Sequence, residues 1–282
     1  KEASPLNLSS LKELINRPYL QFGGYGLFTY EYNSQKDIKH SASPRLVVLS
    51  LRGTVGKNVN YLVLMDFASP ALLEFNAEWK PIKYFALKGG QFKTPFSLEN
   101  QYSPTVLETV NNTRSLAALA GMAGDPQQFT DSKYSNKGGR DLGVQISGEA
   151  VDMGTHNLIS YAGGLFQGQG INQREVDNNK DFAGSFYLQP VKNLFVGGST
   201  YFGQVRQLSE NKSHVRNRWA VGAKYSCCCF DARAEYIKGN DGGLDREGYY
   251  GTGVYKMLDN KLHLVGKVDC FKKEMEVGDD AS

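Results

Sequence analysis

Apolar and polar residues alternate with a period of two along most of this chain. In Leu73-Glu74-Phe75-Asn76-Ala77-Glu78-Trp79, Leu73, Phe75, Ala77 and Trp79 form one face, and Glu74, Asn76 and Glu78 form the other. Leu142, Val144 and Ile146 oppose Asp141, Gln145 and Ser147. Trp219, Val221, Ala223 and Tyr225 oppose Arg218 and Lys224, and Ala232, Ala234 and Tyr236 oppose Asp231, Arg233 and Glu235. Residues two apart on a strand point the same way, so each segment reads as a β-strand with one apolar and one charged side. About thirteen such segments can be placed, at roughly 19–32, 45–55, 60–67, 72–80, 84–92, 140–150, 157–166, 181–191, 194–202, 216–226, 228–238, 246–257 and 262–272. Short turns at 56–58, 81–83, 192–193 and 258–261 alternate with long polar stretches at 33–44, 93–139, 167–180, 203–215 and 239–245.

Alternation is compatible with two opposite arrangements. In a soluble β-sandwich or barrel the apolar face packs inward, and the long loops would serve as a binding module. In a transmembrane barrel the apolar face meets lipid and the charged face meets water. Three features favour the second. Many segments are close to the ~9–11 residues of a tilted membrane strand. Aromatic residues gather at segment ends: Tyr19, Tyr30, Tyr32, Tyr61, Phe67, Trp79, Tyr84, Tyr225, Phe230, Tyr249 and Tyr250. Short turns on one rim with long loops on the other are the layout of an outer-membrane barrel. The mean hydropathy of −0.42 fits, because only alternate residues face lipid. No stretch approaches the ~18 apolar residues of a membrane helix. The expected fold is therefore all-β, a transmembrane antiparallel β-barrel over residues 19–282, preceded by a periplasmic segment, 1–18.

With 32 basic and 29 acidic residues the net charge is +3. That balance offers no broad basic face for nucleic acid. The charges have a different use in a barrel. An arginine at mid-strand costs about 2–4 kcal/mol if it faces lipid at the midplane, so Arg233 is expected to face water and Ala234, Val221 and Leu264 to face lipid. By the same reasoning the expected pore-lining residues are Arg52, Glu74, Glu78, Asp141, Arg216, Arg218, Lys224, Asp231, Arg233, Glu235 and Lys267, with Asp66, Lys88 and Asp269 beside them. Arg216, Arg218 and Arg233 would form a basic cluster suited to anions; alternatively, Arg233 pairs with Glu235 or Asp231 and only solvates the wall.

The segment 93–139 is the candidate constriction. Thr105 to Leu119 reads as a helix with Ser103 as N-cap and Pro104 in the first position. Val106, Leu107 and Val110 would pack on the wall, while Lys93, Glu108, Asn111 and Arg114 would narrow the passage. The alternative is an external lid. Catalytic signatures are missing: His40, His156, His214 and His263 lack metal-binding spacing, and neither a Gly-x-Ser-x-Gly elbow nor a P-loop occurs. No catalysis and no cofactor are expected. Cys227, Cys228 and Cys229 form neither a disulfide framework nor a spaced zinc motif and read as small filler near a turn, with Cys228 facing away from the other two.

Several stretches resemble the phosphate-selective porin O/P family of Gram-negative outer membranes. They are Gly89-Gly90-Gln91-Phe92-Lys93-Thr94-Pro95-Phe96-Ser97-Leu98-Glu99, Gly139-Arg140-Asp141-Leu142-Gly143-Val144-Gln145 and Phe230-Asp231-Ala232-Arg233-Ala234-Glu235-Tyr236, with weaker pieces at Phe22–Gly26 and Lys180–Gly184. The resemblance implies a 16-stranded barrel, usually a homotrimer, with a long third loop folded into the lumen. It implies a porin embedded in outer-membrane lipid, passing small hydrophilic solutes and anions such as phosphate. The family's phosphate path uses an arginine ladder with central lysines, which no motif places here. About thirteen segments fall three short of sixteen, and the sequence stops in the polar Val277–Ser282 where family members end on a strand with a terminal aromatic. A truncated chain is the expectation.

Overall fold

The computed structural model describes residues 16–35, 37, 39–120, 138–175, 178–207, 212–259 and 261–275. They form fourteen strands: β1 (Asn16–Arg17), β2 (Leu20–Tyr32), β3 (His40–Val55), β4 (Val59–Asp66), β5 (Ala71–Ile82), β6 (Phe85–Lys93), β7 (Arg140–Asp152), β8 (Asn157–Phe166), β9 (Asp181–Val191), β10 (Leu194–Gln207), β11 (Lys212–Ser226), β12 (Phe230–Asp241), β13 (Leu244–Met257) and β14 (Leu262–Met275). Each pairs antiparallel with its neighbours in chain order, a single continuous meander. Among the described residues, β1 and β14 are the two edges of the sheet. The expected N-terminal segment lies outside the described residues except for its last three, of which Asn16 and Arg17 pair with Gln21 and Leu20.

The predicted strands are present, and several run longer than expected. The stretches 203–215 and 239–245 are not long loops. β10 continues to Gln207, β11 begins at Lys212, and β12 and β13 join through a two-residue turn, Gly242-Gly243. Both glycines have positive φ, 62° and 94°, the backbone that tight hairpin turns require. Polarity misled the reading there. A strand whose inner face meets water carries polar and charged residues along its whole length, so His214 and Asp241 look like loop residues.

The sheet is polar inside and apolar outside. Phe75 is 60% exposed, Val221 51% and Leu264 67%, all on the outer face. Arg218 is 3% exposed and Arg233 6%, on the inner one. Two residues depart from the expected faces. The β4–β5 ladder shifts between Leu64 and Met65, which pair with Glu74 and Leu72. Leu73 is the extra residue of this bulge; it turns inward and packs with Val48 and Ile171. Tyr250, expected in an aromatic girdle, is buried on the inner face, where its hydroxyl donates to Glu235 at 3.3 Å. The girdle assignment holds better for Tyr19, Tyr30, Tyr32, Phe67, Trp79, Tyr84 and Tyr249, which are exposed.

The sheet is rolled. Tyr25 of β2, Arg52 of β3, Glu74 of β5, Gln145 of β7, Ser185 of β9 and Lys224 of β11 all line one cavity, which only a wall curled round it permits. Close strand approach accompanies the curl. A Cβ on Gly164 would stand 2.5 Å from the carbonyl oxygen of Val144, so only glycine fits there.

The lumen and its inserted loop

The chain leaves the wall at Lys93 and rejoins it at Arg140. The first described part of the connection, residues 94–120, turns inward and lies against the inner face of β10 to β14. Phe96, Leu116, Leu119 and Ala120 pack on Ala220 and Ile237, flanked by Tyr201 and Phe271. This apolar patch lies inside a polar lumen because the loop brings its own apolar residues to cover it.

The loop's local structure differs from the short helix expected over Thr105 to Leu119. A single 3-10 turn spans Glu99–Gln101, and one short helix, α1, spans Arg114–Leu119. Ser103 caps nothing helical: its hydroxyl stands 2.9 Å from that of Thr105. The β-branched Thr105, Val106, Thr109 and Val110 resist helix, and Asn111-Asn112-Thr113 favours a cap instead. Thr113 accordingly caps the Ala- and Leu-rich α1 through Leu116 N–H. Val106 and Val110 do not pack on the wall; both are exposed.

Side chains from distant strands hold the loop. Glu235 accepts from Leu98 N–H at 2.8 Å and the Ser97 hydroxyl at 2.7 Å, and the Ser199 hydroxyl accepts from Ser97 N–H at 2.9 Å. Arg233 donates to both oxygens of Glu108 at 3.0 and 2.6 Å and lies over the Tyr102 ring at 5.0 Å. Burial pushes the Glu108 carboxyl up, but the Arg233 hydrogen bonds and charge outweigh it, and the group is held below the ordinary glutamate value. Lys267 donates to Thr109 at 3.1 Å and sits 3.6 Å from Glu99. Asp269 accepts from Arg114 N–H at 2.9 Å. Lys93 donates to the Tyr102 carbonyl at 2.6 Å, and Arg45 of β3 reaches the carbonyl of Val110. The loop thus touches wall on both sides of the lumen.

The expected site residues divide into two groups. Arg52, Glu74, Lys93 and Lys224 border the cavity, and Glu78 lies beside it, 3.3 Å from the bordering Lys88. The others are engaged elsewhere. Asp141 is buried and accepts from Gly168 N–H at 2.6 Å, tying the 167–180 loop to the wall. Asp231 pairs with Lys256 at 2.6 Å. Glu235, Lys267 and Arg233 hold the loop, so Arg233 pairs with neither Glu235 nor Asp231. The cluster of Arg216, Arg218 and Arg233 does not form. Arg216 and Arg218 gather with Arg246 on Asp241, with Arg218 at 2.9 Å. Arg233 lies eight residues away from Asp241 along β12, roughly 27 Å at strand rise. In the loop, Glu108 is bound to the wall, Asn111 is exposed with its carbonyl 3.4 Å from Lys267 Nζ, and Arg114 is largely solvent-facing beside Asp269.

Sequence reasoning overlooked Arg140, Tyr25 and Tyr102. Arg140 lies 2.9 Å from Glu74 and borders the cavity. It precedes Asp141, so strict alternation assigns it to the other face. Gly138 and Gly139, with φ of 71° and 59°, redirect the chain just before the strand and allow both side chains inward.

The cavity has a volume of about 790 Å³. Its charged border is five basic residues, Arg52, Lys88, Lys93, Arg140 and Lys224, and one acidic residue, Glu74. A rolled antiparallel wall, apolar outside, polar inside and carrying a loop in its lumen, defines an outer-membrane channel of the porin class. The soluble alternative required the reverse distribution. The sequence profile of the family "Phosphate-selective porin O and P" matches residues 22–181, and the chain belongs to that family. It is an outer-membrane porin, a channel for passive diffusion of small hydrophilic solutes, and family and fold point to a channel rather than an enzyme.

Solved structures agree on the fold. OmpF of Salmonella typhi, in complex with daunomycin, superposes with a TM-score of 0.65 at 11% identity over 89% of this chain and 78% of its own. The outer-membrane channel DcaP of Acinetobacter baumannii gives 0.55 at 11% identity over 91% and 80%. The anion-selective porin of Comamonas acidovorans gives 0.50 at 10% identity over 90% and 89%. No curated protein sequence matches the chain.

Proposed function

We propose that this porin prefers small anions, phosphate among them, and that they pass between the inserted loop and the basic border of the cavity. The observation that carries this reading is the excess of five basic residues over one acidic residue round that cavity. Basic rows along a pore favour anions. Glu74 is compensated by Arg140 at 2.9 Å and Lys88 by Glu78 at 3.3 Å, which leaves Arg52, Lys93 and Lys224 to meet a solute. Lys224 sits over the rings of Phe195 at 4.6 Å and Tyr102 at 5.7 Å. The aromatic seat holds the ammonium without neutralising it.

In this reading residues 93–120 form the constriction, with Lys93 and Tyr102 at the passage and Glu108, Asn111 and Arg114 as anchors or rim. The outer face meets outer-membrane lipid, and the working unit is a homotrimer, as the family resemblance implies. Catalysis plays no part.

Planar-bilayer recording under a salt gradient tests the proposal. A reversal potential of anion sign, with current blocked by added phosphate, is the expected result. A cation-sided reversal would overturn the anion preference while leaving the porin fold intact. Cross-linking in detergent tests the trimer, with a three-chain band expected.

A further inference from the structure

Cys227, Cys228 and Cys229 make up the turn between β11 and β12. Strand alternation would send Cys228 away from the other two, but the turn breaks that pattern. The three sulfur atoms all lie within 4.8 Å of one another. The backbone is closed by Cys227 N–H donating to Phe230 O at 2.8 Å. It is fixed to its neighbours by Ser226 N–H donating to Asn193 O at 3.3 Å and Lys256 N–H to Cys229 O at 2.8 Å. All three thiols are free; Cys228 and Cys229 are exposed and Cys227 is half-buried. They lie at the rim of short turns, away from Lys93 and Arg140, and nothing in the channel reading uses them.

We propose that this turn binds one thiophilic d10 metal ion, Zn(II) or Cu(I), through three thiolates. Thiolates select such soft or borderline ions. An equilateral triangle with the 4.8 Å limit as its edge has its centre about 2.8 Å from each corner, against about 2.3 Å for a zinc–thiolate bond. Contraction by half an ångström or less, within the reach of side-chain rotation on a turn already closed, completes the site. Each S–H releases its proton to solvent as the sulfur–metal bond forms, with no change of oxidation state. Solvent fills any remaining position. Oxidation is a poor competitor for adjacent pairs: neighbouring Cα atoms are about 3.8 Å apart, below the roughly 4.4–6.8 Å of ordinary disulfides.

The test uses the full chain, folded in detergent and reduced with a phosphine under anaerobic conditions. It is titrated with Zn(II) or Cu(I) against a chromophoric chelator, and with Co(II) for its thiolate charge-transfer absorption. The unsubstituted protein and a Cys270→Ser variant are expected to take up one ion per chain. The variant combining Cys227→Ser, Cys228→Ser and Cys229→Ser is expected to bind at least about 100-fold more weakly and to lose the Co(II) absorption. Protection gives a readout that needs no variant: the bound ion should block alkylation of the turn cysteines and leave Cys270 alkylated as before. Failure of the reduced protein to bind either ion, unchanged binding in the triple variant, or unprotected turn cysteines would overturn the proposal. None of these outcomes bears on the channel reading.

Discussion

Glu108 and Arg233 are 125 residues apart in sequence and joined by two hydrogen bonds, of 3.0 and 2.6 Å, between the inserted loop and the wall. The pair fastens the inserted loop to β12, four residues into the strand, and its rupture is the most direct way to release the loop. A hydrogen-bonded charge pair of this kind contributes about 1.5–3 kcal/mol, which corresponds to roughly 10- to 100-fold in the balance between docked and released loop. Glu108→Gln should therefore raise open-channel noise and shift mean conductance in single-channel records. Arg233→Ala should do more, because it leaves a half-buried carboxylate without its partner. Conductance and noise indistinguishable from the unsubstituted channel in both variants would show that other contacts hold the loop.

The same pair sets an acid limit. Burial raises the Glu108 carboxyl, Arg233 lowers it further, and the folded value lies below the ordinary 4.5. A depressed carboxylate stabilises the docked loop above its unfolded value and loses that contribution as pH falls through the folded one. Conductance should accordingly be constant from neutral pH down to about 4.5 and become unsteady only below it. Glu108→Gln should remove this acid-dependent component. Unsteady gating that begins near pH 6 would assign the acid response to another group.

Charge reversal on the cavity border should change selectivity without harming the fold. Arg52→Glu and Lys224→Glu each move the border by two charges. Each should shift the zero-current potential toward cations and weaken phosphate block, with the double variant shifting further. Arg218→Glu is the contrast: Arg218 is buried on Asp241, so this change should impair folding instead of selectivity. Reversal potentials paired with heat-modifiable gel migration separate the two effects.

The outer face admits a stability test. Leu264 and Val221 project outward, and arginine at either position should cost up to about 2–4 kcal/mol near the bilayer midplane, less toward the rims. Urea titration of folding into lipid vesicles measures the loss. A cysteine at Ala234 should react with a lipid-restricted probe, and one at Arg233 should not.

The strands and their two faces were legible because alternation is a local property. Phe75 and Glu74 declare opposite faces to anyone reading five residues. The failures were local too, at places where a second influence competed. The Leu73 bulge arises from the register of the facing strand, which the segment itself does not carry. The polar residues of 203–215 looked like loop because a watery lumen removes the usual link between polarity and irregular structure. The helix expected from Thr105 was cut short by β-branched residues and by the stronger cap at Thr113.

By itself, then, the sequence determined a meander of strands with lipid on one side and water on the other, since a period of two admits no other regular structure and charges at mid-strand cannot face lipid. Only the tertiary structure decided which inner charges remain available to a solute. Glu74 meets Arg140 across 66 residues, Arg233 meets Glu108 across 125 and Ser97 meets Glu235 across 138. Such pairings depend on how the wall curls and where the loop comes to rest, and both are set by contacts between segments that no single stretch of the sequence contains.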